Sequence, residues 1–281
     1  MRHTHTPIGR IEGMIIQDCD VVHTTVPLLM MARRHPMVVT IKGDFTIEHY
    51  ILQRFYPRLV SEADVLTTPS EYIKERLGIE RMLVIPNALF PEDAKIASHK
   101  INGKLHLATV MNFYFKGKAL GAVRMLELLV ASGFKNLMHI IVGEGTYLHY
   151  VQDYAKDCDL DIRFSGYLPN PYMALCNSDL FLYYSYHDNF PNVILEAMAS
   201  GLPVLTNKVG AVNEIIESGV DGLIAENDEQ YTSYLRELLS DEGLRMRLGA
   251  NARLTVERRF NWHILVDKYI EIYKEVLDAR G

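Results

Sequence analysis

The segment 180–204 limits the fold of this chain more than any other stretch. It opens with an apolar run at 180–184, passes through a polar loop into a helical pattern, and returns to an apolar run after Pro203. Pro191 suits the first turn of a helix, where its missing N–H costs nothing, and Gly201 suits the left-handed turn that ends one. A strand, a helix and a second strand joined by short connections predict a parallel α/β arrangement.

The same alternation of apolar and amphipathic runs continues along the rest of the chain. Short apolar runs predict buried strands, and apolar residues at helical spacing predict helices between them. Ser70 is expected to cap the helix that follows it. The predicted strands lie at residues 20–23, 36–41, 64–67, 81–85, 105–110, 137–142, 162–164, 180–184, 203–205 and 222–224. The predicted helices lie at residues 10–19, 46–60, 71–77, 118–132, 147–157, 172–177, 191–200, 212–218, from 229 onward, and 260–277.

The length of 281 residues, with 48% hydrophobic and 23% charged residues, is ordinary for a globular protein of two domains. We expect two Rossmann-like parallel-sheet lobes in an α/β fold. The N-terminal lobe is expected to be incomplete, because it begins about two βα units late for a full doubly wound lobe. A lobe of about four strands leaves a sheet edge that a second chain could complete. The predicted parts are the N-terminal lobe at 1–90, a linker at 91–104, the C-terminal domain at 105–259 and a helix packing back on the N-terminal lobe at 260–281.

Composition and charge exclude several classes of protein. A net charge of −6 argues against a general nucleic-acid partner, which needs a basic surface. Cys19, Cys158 and Cys176 are odd in number and form no CxxC pair, so neither a disulfide framework nor a zinc site is predicted. No apolar run reaches the roughly 18 residues that span a bilayer. We therefore expect a cytoplasmic protein, with peripheral contact at the inner face of the membrane left open.

The loop 188–196 is the main candidate site. Free backbone N–H groups, from about Phe190 to Ile194, are expected at the N-terminus of the following helix. The positive end of the helix dipole at this point favours a bound anion. Two carboxylates, Asp188 and Glu196, bracket the loop. The pattern predicts an anion site flanked by two acids.

This segment resembles the nucleotide-sugar loop of retaining GT-B glycosyltransferases of family 4. The shared features are an acid, seven residues and then Glu, with Phe-Pro between them and Glu-Ala-Met-Ala-x-Gly-x-Pro-Val after. Residues 20–23, 39–43, 85–87 and 142–145 resemble further landmarks of the family, in family order. The resemblance implies two lobes facing a cleft, a nucleotide-sugar donor as substrate, and transfer of the sugar to an acceptor hydroxyl with retention at the anomeric carbon.

The resemblance also implies roles for individual residues. Glu196 would bind the donor ribose, and Asp188, which stands where the family usually has Glu, would contact the transferred sugar. The family's paired Arg and Lys fall on Asn112 and Lys118, with Lys116 as a nearby substitute; a positive charge there would stabilise the leaving diphosphate. The implied donor-binding residues also include Gly143, Gly145, Tyr167, Leu168, Asn189, Phe190, Pro191, Asn192, Val193 and Ile194. For the acceptor side, the resemblance points weakly to Lys42, which stands near the family's His position, and to His23.

Each assignment has a structural alternative. Lys116 and Lys118 could be solvated residues at a helix start, Glu196 an exposed helical glutamate, and Asp188 a helix cap. A tight turn could account for Gly143 and Gly145, core packing for Tyr167 and Leu168, and a purely structural role for His23. The Asp-x-Asp triplets beginning at residues 18, 157 and 159 precede strands, whereas ligands collect at strand carboxyl ends, so neither a metal nor a cofactor is predicted.

A rival hypothesis belongs to another class of protein. The lobe that begins late, together with Asn112 and Lys42, is also typical of a non-catalytic or partner-dependent subunit that only binds a nucleotide-sugar. A sugar-nucleotide epimerase of related fold is a third hypothesis, which the Phe-Pro register disfavours. The sequence leaves open a UDP, GDP or ADP donor, and a sugar, lipid or protein acceptor.

Overall fold

A computed structural model describes residues 20–25, 35–44, 56–97 and 103–279. The chain divides into two compact units, one comprising Met1–Pro86 with Leu265–Gly281, the other Asn87–Ile264. The boundary lies four residues before the predicted end of the N-terminal lobe, and the described part of the predicted linker, 91–97, belongs to the larger unit. The predicted helix at 10–19 and most of the one at 46–60 lie outside the described residues.

The smaller unit contains a four-stranded parallel sheet with the strands in sequence order. Ser70 caps the helix after the third strand, as predicted, and its hydroxyl accepts from the N–H of Ile73 at 3.2 Å. The strands are β1 (Val22–Thr24), β2 (Met37–Thr40), β3 (Val65–Thr68) and β4 (Leu83–Val84), and the described helices are α1 (Tyr56–Glu62) and α2 (Glu71–Leu77).

The larger unit contains a six-stranded parallel sheet covered by helices. Its strands are β5 (Leu105–Val110), β6 (Leu137–Val142), β7 (Asp161–Gly166), β8 (Leu180–Tyr183), β9 (Val204–Asn207) and β10 (Leu223–Ala225). Its helices are α3 (Lys116–Ser132), α4 (Leu148–Lys156), α5 (Tyr172–Leu175), α6 (Asn192–Ala199), α7 (Val212–Ile215), α8 (Asp228–Ser240) and α9 (Glu242–Arg259), followed by α10 (Trp262–Asp278), which continues into the smaller unit.

The strand order in the larger unit is β10-β9-β8-β5-β6-β7, and every neighbouring pair is parallel. The order reverses between β5 and β8, which are adjacent in space although two strands separate them along the chain. Ligands of such sheets bind beyond the carboxyl ends of the strands at this reversal, the topological switch point. The loops after β5 and β8 are therefore the expected walls of a site.

The ends of several elements differ from the sequence-based expectations. Strand β9 begins after Pro203, because proline has no N–H to donate, although its carbonyl accepts from the N–H of Phe181 at 3.0 Å. The helices expected from about residue 229 begin with α8 and α9, which part at Asp241, whose carboxylate caps α9 by accepting from the N–H of Leu244 at 2.9 Å. Among the described helices, none has the length and apolar character needed to cross a bilayer.

The core of the smaller unit includes the C-terminal helix. Ile272 and Val276 of α10 are buried against Val38 of β2 and Ile85. Apolar residues at helical spacing predicted one buried face for this segment, and that face is the one that packs here. The fold therefore consists of two parallel-sheet units, as the sequence predicts.

Candidate functional site

The loop between β8 and α6 forms one wall of the switch point. Pro191 occupies the capping position before α6 and not the first helical turn, with φ −73° and ψ 97°. The N–H of Ile194 is not free, because it donates to the carbonyl of Pro191 at 3.0 Å. Within the described chain, the N–H groups of Phe190, Asn192 and Val193 have no acceptor. The predicted anion site thus holds fewer free donors than the sequence suggested.

Lys118 reaches this loop from the start of α3. Its Nζ lies 2.6 Å from Oδ2 of Asp188, and the two side chains are only 12% and 10% exposed. The other carboxylate oxygen, Oδ1, accepts from the backbone N–H of Asn189 at 2.8 Å. The structure therefore brings together two of the predicted site residues across the reversal between β5 and β8.

Two glycines allow α3 to approach the β8–α6 loop so closely. A Cβ on Gly121 would lie 2.5 Å from the carbonyl oxygen of Tyr184, and one on Gly117 would lie 3.1 Å from Cβ of His187. Because the two glycines are four residues apart, they lie on one face of the helix. This flat face places Lys118 beside Asp188.

Glu196 lies on α6, one turn beyond the free amides. Its side chain is half-buried, and burial raises the pKa of its carboxyl to about 7. The charge of Glu196 also acts on Tyr172 of α5. Burial, followed by the charges of Glu196 and Asp93, raises the pKa of Tyr172 to about 12. A half-buried carboxylate needs hydrogen-bond donors, which ligand hydroxyls can supply.

Lys116 and Asn112, the other two candidates near the start of α3, are more exposed than Lys118. The side chain of Lys116 is exposed, and its Nζ lies 5.8 Å from the ring centre of Tyr150. Asn112 is also exposed, and its amide carries no charge. Lys118, and not its neighbour Lys116, forms the ion pair with Asp188.

Gly143 and Gly145 hold the β6–α4 loop against the β5–α3 loop. Their φ angles are +142° and +144°, and a Cβ on Gly143 would lie 1.8 Å from the carbonyl oxygen of Met111. The backbone of Phe113 donates to the carbonyl of Glu144 at 2.8 Å and accepts from the N–H of Tyr147 at 2.9 Å. These glycines therefore shape the loop that leads to the lysines, in addition to turning the chain.

Tyr167 and Leu168 follow the end of β7. Tyr167 is 64% exposed, which excludes core packing for this residue, whereas Leu168 is half-buried. The carbonyl of Gly166 accepts from the N–H of Gly143 at 2.9 Å, so this turn adjoins the β6–α4 loop.

The two weak acceptor-side residues belong to the smaller unit. His23 bonds through Nδ1 to the hydroxyl of Tyr273 and through Nε2 to Oγ1 of Thr40, each at 2.6 Å. Loss of water around the ring, followed by the charge of Lys42, lowers the pKa of His23. A histidine with both ring nitrogens engaged in its own unit fits a structural role. Lys42 itself is exposed.

Two acids of the Asp-x-Asp triplets, Asp159 and Asp161, pair with cations. Asp159 contacts Lys135, and Asp161 at the start of β7 bonds to Arg163 and Lys104. The bonds to Arg163 and then Lys104 lower the pKa of Asp161 to about 2. In the described part of the chain, no three His, Cys, Asp or Glu side chains are grouped so that they could hold a metal ion.

Sequence reasoning missed two residues at the site. The hydroxyl of Tyr183, the last residue of β8, donates to Oδ2 of Asp188. Asn87 donates through Nδ2 to Oδ1 of Asn192 at 2.8 Å, at the first residue of α6. The signal for Tyr183 was a tyrosine among the apolar residues of a buried strand, five positions before the acid, and the signal for Asn87 was its place in the 85–87 landmark.

Comparison with known families agrees with this geometry. A model of the family described as glycosyl transferases group 1 matches residues 92–255, which is more than half of the chain. The chain belongs to this family. The matched residues include all of the lysines, acids and loops at the switch point of the larger unit.

Relatives of the glycosyltransferase group are found by sequence and by structure. N-acetyl-alpha-D-glucosaminyl L-malate synthase of Bacillus anthracis is 32% identical over 142 residues, covering 49% of this chain and 37% of that protein. The capsular polysaccharide biosynthesis glycosyltransferase CapM of Staphylococcus aureus is 23% identical, covering 96% of this chain and 74% of that protein. The crystal structure of Anabaena HepE in complex with UDP-glucose has a TM-score of 0.79 at 17% identity, covering 91% of this chain and 79% of that one.

These matches confirm the predicted fold class and family. The likeness to solved structures establishes the fold alone, because sequence identities below 20% do not carry a function from one protein to another. The alignments with three curated relatives cover between 27% and 39% of those proteins' own lengths.

Proposed function

We propose that this protein is a retaining glycosyltransferase that moves a sugar from a nucleotide-sugar donor to an acceptor hydroxyl. The observation that carries the proposal is the position of Lys118 beside the N-terminus of α6, at the switch point of the sheet. In the reaction the bond from the anomeric carbon to the donor phosphate breaks and a bond to the acceptor oxygen forms. The acceptor proton passes to the departing phosphate oxygen.

Charge develops on that departing oxygen, so catalysis requires preorganised positive groups near it. Lys118 and the free N–H groups of Phe190, Asn192 and Val193 are groups of this kind. Their combined positive potential supports a reaction that needs no resident metal ion. Asn112 stands where the resemblance places an arginine and adds no charge, which leaves the lysine as the main cation.

Glu196 is assigned to the ribose of the donor. Its half-buried carboxyl, with a pKa raised to about 7, can accept hydrogen bonds from two neighbouring hydroxyls. Tyr167, exposed after β7, is assigned to the nucleobase. HepE was crystallised with UDP and UDP-glucose, so a UDP-sugar is the first donor to test.

The proposal is tested by thermal stabilisation with a panel of UDP-, GDP- and ADP-sugars. A matching donor at about 100 times its Kd should add about 2.7 kcal/mol of stability. The Glu196→Gln variant keeps the shape but not the charge, and its donor affinity should fall by about tenfold to 100-fold. Stabilisation by no member of the panel, or equal stabilisation of the variant, would contradict the proposed donor site.

Donor binding should also depend on pH through Glu196. The ionised carboxylate accepts hydroxyl donors better than the acid does, so protonation opposes binding. As pH falls below about 7, the Kd should rise toward a limit of about tenfold per pH unit, and above that pH it should level off. Calorimetric titration with the selected donor across this range measures the effect. The Glu196→Gln variant should bind weakly and without this slope.

The second candidate is a subunit that binds the donor but transfers sugar only with a partner chain. The exposed Asn112, in place of a permanently charged guanidinium, favours it. Radiolabelled transfer assays on a stabilising donor separate the two candidates: turnover by the purified chain supports the enzyme, and binding without turnover supports the subunit. A sugar, lipid or protein can supply the acceptor hydroxyl.

The cytoplasm is the proposed location, with peripheral contact at the inner face of the membrane when the acceptor is a lipid. Neither Cys158 nor Cys176, the two cysteines in the described chain, forms a disulfide. Free thiols persist in a reducing compartment.

A further inference from the structure

The carboxylate of Asp188 is fully engaged by groups of this chain. Oδ2 accepts from Lys118 Nζ at 2.6 Å and from the hydroxyl of Tyr183. Oδ1 accepts from the backbone N–H of Asn189. A sugar hydroxyl could bind this carboxylate only by displacing one of three donors that already hydrogen-bond to it, so binding a sugar there would gain little. The contacts of Asp188 are instead those of a residue that fixes the position of the Lys118 ammonium.

Tyr183 is a rigid support for this carboxylate. The side chain is fully buried, and its ring stacks on that of Phe181 with centroids 6.5 Å apart. Burial, followed by the charge of Asp188, raises the pKa of Tyr183 well above its usual range, so the hydroxyl stays protonated and remains a donor. Because β8 is a central strand, the hydroxyl is held in place by the sheet itself.

We propose that Tyr183 is a positioning residue that fixes Asp188, which in turn holds the Lys118 ammonium beside the N-terminus of α6. This inference rests on the proposed function, in which Lys118 meets the donor diphosphate. The role of Asp188 is then exerted through Lys118 and not by contact with the sugar. The Tyr183 hydroxyl also gives a reason for the short acid, since a longer side chain at position 188 would crowd it.

The positioning itself is measured without any substrate. Wild type and Tyr183→Phe are treated with a limiting amine-acylating reagent, and mass spectrometry gives the rate at each lysine. Lys118 should react about fivefold faster in the variant, because the acid that holds it has lost one donor. Lys116, exposed and two residues away, is an internal control and should react equally in both proteins.

Kinetics with a donor selected by thermal stabilisation give the second readout. Tyr183→Phe should lower kcat by about tenfold with KM changed less than about twofold, because the lost contact acts on the leaving diphosphate and not on ribose or base. Tyr184→Phe is the matched control: its hydroxyl donates to Asp228 at 2.7 Å, and Asp228 pairs with Arg124. The Tyr184→Phe variant likewise removes a tyrosine hydroxyl that donates to the acid of an acid–cation pair, but that pair lies outside the proposed site, so kcat should be unchanged.

A compensating substitution tests the crowding argument. Asp188→Glu alone should lose activity, and adding Tyr183→Phe should restore part of the kcat by giving the longer acid room. Unchanged Lys118 acylation in Tyr183→Phe overturns the inference, as does an equal loss of kcat in Tyr184→Phe. If wild type binds no donor, the proposed function fails, and the acylation rates still decide whether Tyr183 positions the lysine.

Discussion

Replacing Lys118 with alanine should lower kcat for sugar transfer by about 100-fold or more, the range seen when one group that stabilises developing charge is removed. Lys118 is the half-buried cation at the switch point, and its loss also leaves Asp188 without its countercharge. The measurement is steady-state transfer with the donor that stabilises the wild type. Folding of the variant is checked by its thermal midpoint.

Two matched variants make this result specific. Lys116→Ala removes an exposed lysine two residues away and should reduce kcat far less. Lys118→Arg keeps the charge but changes its geometry, so it should recover part of the activity. If Lys116→Ala proves as damaging as Lys118→Ala, or if Lys118→Ala turns over like wild type, the assignment of the leaving-group cation is wrong.

Replacing Gly143 with alanine should destabilise the larger unit by about 3 to 5 kcal/mol, or prevent its folding. The φ of +142° is a glycine conformation, and the added Cβ would lie 1.8 Å from the carbonyl oxygen of Met111. One of the two loops must move, and the β5–α3 loop leads directly into the lysines at the start of α3. Denaturant unfolding measures the change, and donor stabilisation should be lost with it.

Gly133 supplies the control for backbone strain without crowding. Its φ is +83°, and a Cβ there would meet nothing within 4 Å. Gly133→Ala should therefore cost only about 1 to 2 kcal/mol, the strain of a left-handed alanine. If Gly143→Ala and Gly133→Ala lower the free energy of unfolding equally, the close packing between the two loops contributes nothing to stability.

Much of the fold could be predicted from sequence because its signals are local. The strand at 105–110, the strand at 137–142 and the Ser70 cap are found where the sequence predicts them. Each depends on residues within one turn or one strand. The sequence predicted helices from about residue 229 but not the position of their division at Asp241, because a single capping residue between two helical patterns resembles helix continuation.

The site could be predicted only as a set of residues and not as a set of contacts. The ion pair between Lys118 and Asp188 exists because β8 returns to lie beside β5, and no local pattern states this. The distinction between Lys116 and Lys118 depends on where α3 begins, since residues two apart on a helix point about 200° away from each other. The Tyr183 hydroxyl was hidden because a tyrosine in a buried strand resembles core.

The pairing of β5 with β8, called the seam below, affects how this protein responds to its ligand. β5 pairs with β6 over six residues but with β8 over only two, Leu107 with Leu180 and Ala108 with Phe181. A ligand that touches both the β5–α3 and the β8–α6 loops therefore ties together two halves of the sheet that share few backbone bonds. Its binding energy should appear as slower amide hydrogen exchange in β6 and in β9 alike, because opening the seam would require releasing the ligand first.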